Sequence, residues 1–239
     1  MPGLEKSYDH LAPHFRSYSE ARAAYLGSID RLILRRIPAE ATSLLDVGSG
    51  DGLRAARLAA RCSVSRLILS DPSEEMVSRC RFLEGVAEVW RVAAEELPDL
   101  GERFGVITCL WNVFGLVSDT ALRVEALRRM RSLLAPRGRI FLDVNNRYNA
   151  PAYGRLKTAG RVLYDLLRPS DANGDVSFSW RVGGELIETR GHVFRPGEMK
   201  NLIEGAGLKV ALRHVVDYET GQLRKSAFAG QLFYELAQR

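Results

Sequence analysis

Residues 44–52 read Leu-Leu-Asp-Val-Gly-Ser-Gly-Asp-Gly, and this nonapeptide constrains the fold more than any other stretch of the chain. A short apolar run ends in an acid and then meets glycine at every second position. The run suits a buried strand. The glycines suit a backbone that turns sharply and comes within contact distance of a ligand, since no side chain stands in the way. Residues 53–60 are helix formers with apolar spacing, so the turn opens a helix whose N-terminal amides point back at the loop. A dinucleotide fingerprint needs Gly-x-Gly-x-x-Gly. Here the pattern is Gly48-x-Gly50-x-Gly52 with Asp46 ahead of it, which indicates a nucleotide-like ligand of another kind.

Composition narrows the class. A chain of 239 residues fits one domain with an insertion or lid, and at 46% hydrophobic and 26% charged it can bury a full core. No stretch approaches eighteen apolar residues, and Met-Pro-Gly-Leu-Glu-Lys at the start has no secretory apolar region. A cytoplasmic protein without membrane contact is therefore expected. Cys62, Cys80 and Cys109 lack CxxC spacing, so they read as reduced thiols, and no metal is expected. Lys plus Arg exceed Asp plus Glu by 34 to 29, a mild net charge of +5. Arg123, Arg128, Arg129 and Arg131 read as a solvated helix face, so nucleic acid is not the expected partner.

Periodicity predicts a helix over 7–37 ending at Pro38. Strands at 43–47, 66–70, 87–91, 104–110 and 138–144 then alternate with helices at 53–61, 73–83 and 119–134. Such alternation implies a parallel sheet with crossover helices. Past Asn149 the rhythm changes. A helix is predicted over 150–168, a hairpin from 176–182 and 186–194 around Gly183-Gly184, a helix over 196–205, and an antiparallel pair at 208–218 and 227–236. The whole chain reads as one domain, with 1–25 as an N-terminal lid helix and 145–195 as an inserted substrate lid.

Further segments agree with the opening motif. Asp71 ends the second strand, 21 residues after Gly50, where an ionised carboxylate can accept from both ribose hydroxyls. Its alternative role is an N-cap for the following helix, which Ser73 serves equally well. Met76, one turn on, can lie against a base or in the core. In order along the chain, Leu44–Gly52, Leu67–Ser73, Val92–Pro98, Phe104–Asn112 and Leu134–Asp143 resemble the motifs of the class I S-adenosylmethionine-dependent methyltransferases. The resemblance implies an α/β, Rossmann-like doubly wound sheet of seven strands, the last antiparallel, with a lid after the fifth strand. It implies S-adenosylmethionine as cofactor, held by Tyr18, Arg22, Asp46, Gly48, Ser49, Gly50, Asp71, Pro72, Met76, Ala94, Glu95 and Leu110. The family commonly has Asp where this chain has Ala93, and Leu-x-Pro-Gly-Gly where it has Leu134-Ala135-Pro136-Arg137-Gly138.

The series Tyr8, Phe15, Tyr18, Arg22 is similar to the segment that closes the site in methyltransferases of the glycine N-methyltransferase and amino-sugar type, where the arginine pairs with the methionine carboxylate. An amphipathic helix packed on the core uses the same residues. Tyr8, Trp111, Asn112, Asn146 and Tyr148 are the expected acceptor contacts, the last two from the polar run Asp143–Asn149. His192 reads as a hairpin surface residue, or as a base if the hairpin folds inward. No catalytic base is assigned. The expected activity is methyl transfer to N or O of a small polar metabolite by a monomer or homodimer. The alternatives are a tRNA or other RNA methyltransferase, or a non-catalytic cofactor-binding protein of the same fold.

Overall fold

The computed structural model describes residues 4–99, 101–182 and 185–239. The predicted N-terminal helix is three: α1 (Leu4–Leu11), α2 (Phe15–Glu20) and α3 (Ala23–Leu34). Pro13, which has no N–H to donate, sits in a 3-10 turn at Ala12–His14 that breaks the first pair. The chain then alternates through β1 (Ser43–Val47), α4 (Leu53–Ala59), β2 (Arg66–Ser70), α5 (Glu74–Cys80), β3 (Val86–Trp90), β4 (Phe104–Cys109), α6 (Thr120–Ser132) and β5 (Leu134–Val144). After β5 come α7 (Ala150–Tyr153), α8 (Arg155–Leu167), the antiparallel pair β6 (Asp175–Val182) and β7 (Glu185–His192), and α9 (Pro196–Gly205). The predicted Gly183-Gly184 turn lies outside the described residues. Strands β8 (Leu208–Val216), β9 (Leu223–Arg224) and β10 (Gln231–Gln238) complete the fold.

The main sheet runs β3-β2-β1-β4-β5-β10-β8-β9. Strands β1 to β5 are parallel, and β10 runs antiparallel to both β5 and β8, giving the reversed strand the sequence implied. The eighth strand departs from the seven expected. Asp217 Oδ1 accepts from the amides of Glu219 and Thr220 at 3.1 and 2.9 Å, turning the chain early so that Arg224 and Leu223 pair back on Val215 and Val216. Strand β5 also starts four residues earlier than predicted. Its register against β4 shifts between Phe104 and Val106, and Arg137 stands at φ +64°, where the family commonly has glycine.

Sheet residues alternate between two apolar cores, as a parallel sheet covered on both faces requires. Leu45, Ile68, Ile107 and Ile140 pack with Ala126, Leu127 and Met130 of α6 and Met199, Leu202 and Ile203 of α9. Leu44, Leu67, Val106 and Phe141 pack with Tyr25, Ile29 and Ile33 of α3 and Ala55 and Leu58 of α4. The strand order reverses between β1 and β4, so a crevice opens beyond their carboxyl ends.

The β6–β7 insertion is fastened from inside the molecule. His192 is fully buried, where the sequence suggested a hairpin surface. Its Nδ1 and Nε2 each lie 2.7 Å from a carboxylate, Asp175 and Glu198. Glu198 also accepts from the Arg195 amide at 3.2 Å at the start of α9, and Arg123 of α6 lies 3.7 Å from Asp175. The position resisted sequence reading because its partners lie on β6 and α9, which only tertiary folding brings together. Strand β7 thereby lies against α1 and the 113–116 turn, over the crevice.

Candidate functional site

The glycine loop after β1 has the geometry its residues implied. Gly48, Gly50 and Gly52 all have positive φ, at +70°, +57° and +72°. The first two face the crevice. A Cβ on Gly48 would strike the Val113 side chain, and one on Gly50 would stand 2.6 Å from the Phe15 ring. Gly52 serves packing instead, since a Cβ there would press on Leu69 and Leu83 at 2.7 Å. The Gly48 and Ser49 amides donate to the Ser70 carbonyl at 2.8 and 2.9 Å, which ties the loop to the end of β2.

Asp71 follows that strand end and is buried. Its Oδ2 accepts from the Gly50 amide and its Oδ1 from the Ser73 amide, each at 2.9 Å. Burial pushes its carboxyl up to about 6, against the pull of those two N–H donors. One carboxylate therefore orders both the loop and the start of α5, and it still faces the cavity. Ser73 is the N-cap, its Oγ accepting from the Met76 amide at 3.2 Å and donating to Asp9 of α1 at 2.5 Å. Asp46 has a different position. It is buried beneath the loop, accepts from the Thr108 hydroxyl at 2.5 Å, and is likewise pushed by burial up to about 6.

A cavity of about 230 Å³ runs along the loop. Of the residues the sequence placed at the cofactor, Tyr18, Gly48, Gly50, Asp71, Pro72, Ala94, Glu95 and Leu110 line it, and Ala93 joins them. Ser49 stands behind the wall, its hydroxyl donating to the Asp46 carbonyl at 2.9 Å. Met76 is fully buried in the body of α5 and is not among the lining residues. Arg22 is paired with a protein carboxylate: its Nη1 donates to both Glu219 oxygens at 2.8 and 2.7 Å, and its guanidinium lies over the Tyr218 ring at 4.8 Å. That pairing occupies the group expected to meet the methionine carboxylate.

One part of the cavity wall is aromatic. Phe15 meets Trp111 edge-on at 5.7 Å, Tyr18 stacks on Trp111 at 5.2 Å, and Trp111 Nε1 donates to the Tyr218 hydroxyl at 3.1 Å. Burial pushes the Tyr218 phenol up to about 12 and the Tyr8 phenol well above its ordinary value, so both stay protonated at neutral pH. Trp111 and Asn112 both adopt left-handed backbone, φ +59° and +63°, conformations that cost non-glycine residues of order 1–3 kcal/mol each. Asp143 holds this turn. Its Oδ1 accepts from the Trp111 amide and its Oδ2 from the Tyr25 hydroxyl, both at 2.6 Å, and its carbonyl accepts from the Asn112 amide at 3.2 Å.

Tyr8, Trp111 and Asn112 line the cavity, but Asn146 and Tyr148 do not. Asn146 Nδ2 donates to the carbonyls of Ala227 and Gly230 at 2.6 and 2.8 Å, and the Tyr148 hydroxyl donates to Asp165 at 3.0 Å. The polar run after β5 thus braces the chain, and only its Asn145 reaches the cavity. Phe178, Tyr218, Val113, Leu116 and Val117 are lining residues that sequence reading missed. Phe178 and Tyr218 arrive from distant elements and carry no local signal. The 113–117 run could have been found as the direct continuation of the Trp111-Asn112 turn.

These residues fit S-adenosylmethionine. The loop is open where a Cβ would fill it, the buried carboxylate of Asp71 on the cavity wall can accept from ribose hydroxyls, and the rings of Phe15, Tyr18 and Trp111 suit a sulfonium cation. Comparison with known proteins agrees. Residues 16–212 match the family model described as a methyltransferase domain. No curated protein sequence matches the chain. Among solved structures it is similar to the amino pentose methyltransferase CalS10 of Micromonospora echinaspora, at 18% identity and TM-score 0.64 over 94% of this chain and 96% of that one. It is similar to the sugar N-methyltransferase KedS8 of a Streptoalloteichus species, at 20% identity and TM-score 0.63 over 95% and 91%. A Haloferax volcanii methyltransferase solved in complex with the Trm112 methyltransferase activator superposes at 15% identity and TM-score 0.67 over 98% and 97%. At these identities the likeness carries the fold, whereas the family match spans most of the chain. The protein belongs to the class I S-adenosylmethionine-dependent methyltransferases.

Proposed function

We propose that this enzyme methylates an amine nitrogen of a small molecule whose body packs on the aromatic wall, with amino sugars as the first class to test. The observation that carries this reading is the makeup of the acceptor end. Phe15, Tyr18, Trp111, Phe178 and Tyr218 surround it, and its amides are Asn112 and Asn145. The carboxylates that line the cavity are Asp71 and Glu95, and the described lining includes no histidine. Asp71 is assigned to the ribose and Glu95 to the adenine edge.

S-Adenosylmethionine supplies an activated methyl group on a sulfonium. The work of the chain is alignment and exclusion of water. A neutral amine attacks through its own lone pair and needs no proton removed beforehand, whereas a hydroxyl acceptor calls for a base. The ring C–H faces of a sugar pack on Trp111 and Tyr18, and its hydroxyls meet the two Asn amides. CalS10 and KedS8 act on an amino pentose and a sugar nitrogen, which supports this class without assigning it. The polar acceptor expected from the 143–149 run is retained, but on Asn112 and Asn145 and not on Asn146 or Tyr148.

The test is S-adenosylhomocysteine release across paired acceptors that differ only in amine against hydroxyl at one carbon. Turnover with amines and none with the hydroxyl partners is expected. The reverse pattern overturns the nitrogen assignment. Turnover on tRNA alone moves the enzyme to the RNA class, and tight cofactor binding without turnover on any acceptor supports a binding protein.

A further inference from the structure

Helix α8 faces the wrong way for a helix packed on a globular core. Its most buried side chains are the polar Thr158 and Asp165, while its leucines lie outside. Leu156 is 90% exposed, Leu163 59%, Leu166 74% and Leu167 72%. At about 100° per residue, Leu156, Leu163 and Leu167 fall on one line along the helix, with Leu166 to one side and the half-exposed Tyr164 to the other. The outward stripe is continuous and apolar.

What fastens α8 to the body is polar. Asp165 accepts from Arg147 Nε at 2.7 Å and Nη2 at 3.1 Å, from the Tyr148 hydroxyl at 3.0 Å and from Asn173 Nδ2 at 2.9 Å. Arg161 donates to the Arg147 carbonyl at 3.1 Å and lays its guanidinium over the Tyr153 ring at 4.1 Å. Rolling the leucines inward would carry Asp165 out of this network and leave Arg147 buried without its partner. The outward face is therefore a held orientation.

The charges that border the leucines have one sign. Arg155 and Lys157 on the helix and Arg168 at its C-cap are exposed, and Arg161 is half-buried beside them. The one acid of α8 is the buried Asp165. Two copies facing each other through these leucines would bring two cationic rims together with no exposed acid on either helix to neutralise them. An anionic surface is the complement.

We propose that α8 is a membrane-surface docking helix, its leucines entering the boundary between headgroups and acyl chains of an anionic phospholipid bilayer and its cations meeting the lipid phosphates. Among the described residues no helix is long and apolar enough to cross a membrane, but a helix lying in the plane of the interface has no such length requirement. The proposal departs from the expectation of no membrane contact, which rested on the lack of a spanning segment.

The experiment is cosedimentation of the full chain with vesicles of mixed phosphatidylglycerol and phosphatidylcholine, and with phosphatidylcholine alone. Binding to the anionic vesicles that weakens with salt is expected. Leu163→Glu/Leu167→Glu should lower partitioning at least about tenfold, since each buried leucine contributes strongly. Lys157→Gln should lower it about fivefold for the one charge removed. Cofactor binding of both variants should equal that of the parent, because α8 contributes no residue to the cavity lining. No binding to anionic vesicles, or equal binding by parent and leucine variant, overturns the proposal. A concentration-dependent dimer abolished by Leu163→Glu/Leu167→Glu, without vesicle binding, gives the face to a second copy.

Discussion

At the scale of single residues, Asp71 carries the most information. Asp71→Ala should weaken S-adenosylmethionine binding by tens-fold, about 2 kcal/mol for lost hydrogen bonds to a charged group, read by calorimetry with the unfolding midpoint of the unliganded protein as control. The pH response has a definite sign. With Asp71 at the ribose as proposed, the ionised carboxylate is the acceptor, and burial raises its pKa to about 6. Affinity should therefore be constant above neutrality and fall as pH drops through that value, by up to about tenfold per pH unit below it. An affinity flat from pH 8 to about 5 would remove Asp71 from the ribose. Asp143 is a positioning residue at the same end of the sheet, acting through the Trp111 turn. Asp143→Ala leaves the Trp111 amide and the Tyr25 hydroxyl without their acceptor, at about 1–3 kcal/mol for each buried donor. It should raise the acceptor KM and lower kcat far more than it weakens cofactor binding, and Asp143→Asn should restore most of the loss. An equal loss of cofactor affinity would make its role merely structural. Asp71 was legible as a residue of the cavity wall because it combines an acid, a strand end and a fixed spacing from Gly50. Asp143 was visible only as one member of a polar run, since its purpose lies in backbone strain that no residue type announces.

Elements were legible where periodicity and turn chemistry agreed, as in β1, β2 and α9, each predicted to the residue. They were misread where a local interruption competed with a long pattern. The apolar spacing of 7–37 overrode Pro13 on paper, but the missing N–H breaks the helix in the fold. That break has a use. It lets α1 tie down through Asp9 to Ser73 while α2 turns Phe15 and Tyr18 onto the glycine loop and Trp111. The β6–β7 insertion is held by the buried His192 cluster, which predicts a large effect far from the chemistry. His192→Ala leaves Glu198 Oε1 buried without its partner, Arg195 holding only the other oxygen, and opens a cavity where the ring stood, at a cost of about 3 kcal/mol. For a chain of this size that is a fall in the unfolding midpoint of roughly 6–12 °C. Cofactor affinity should change little, because Gly48, Gly50 and Asp71 directly follow β1 and β2, away from the insertion. A midpoint within a degree of the parent would show that the cluster does not hold the insertion.

At the scale of the whole molecule, the doubly wound sheet was readable because alternating strand and helix patterns leave few topologies, and the ligand crevice follows from the reversal of strand order. The aromatic wall of the cavity was readable only in part: Phe15 and Trp111 were named from sequence, whereas Phe178 and Tyr218 come from distant parts of the chain and were not. One feature of the sheet bears on how the protein is made. The reversed strand β10 lies between β5 and β8, in the interior of the sheet, yet follows both in sequence. During vectorial synthesis the edge of β5, with Phe141 and Leu142 on it, waits unpaired while some ninety residues are added. Removing 231–239 should leave two hydrophobic half-sheets with bare edges, seen as insoluble product and not as a weaker enzyme. Translation therefore exposes a sticky intermediate for most of the second half of the chain, and the yield of folded protein should follow the speed of synthesis and the supply of chaperones more closely than the stability of the finished sheet.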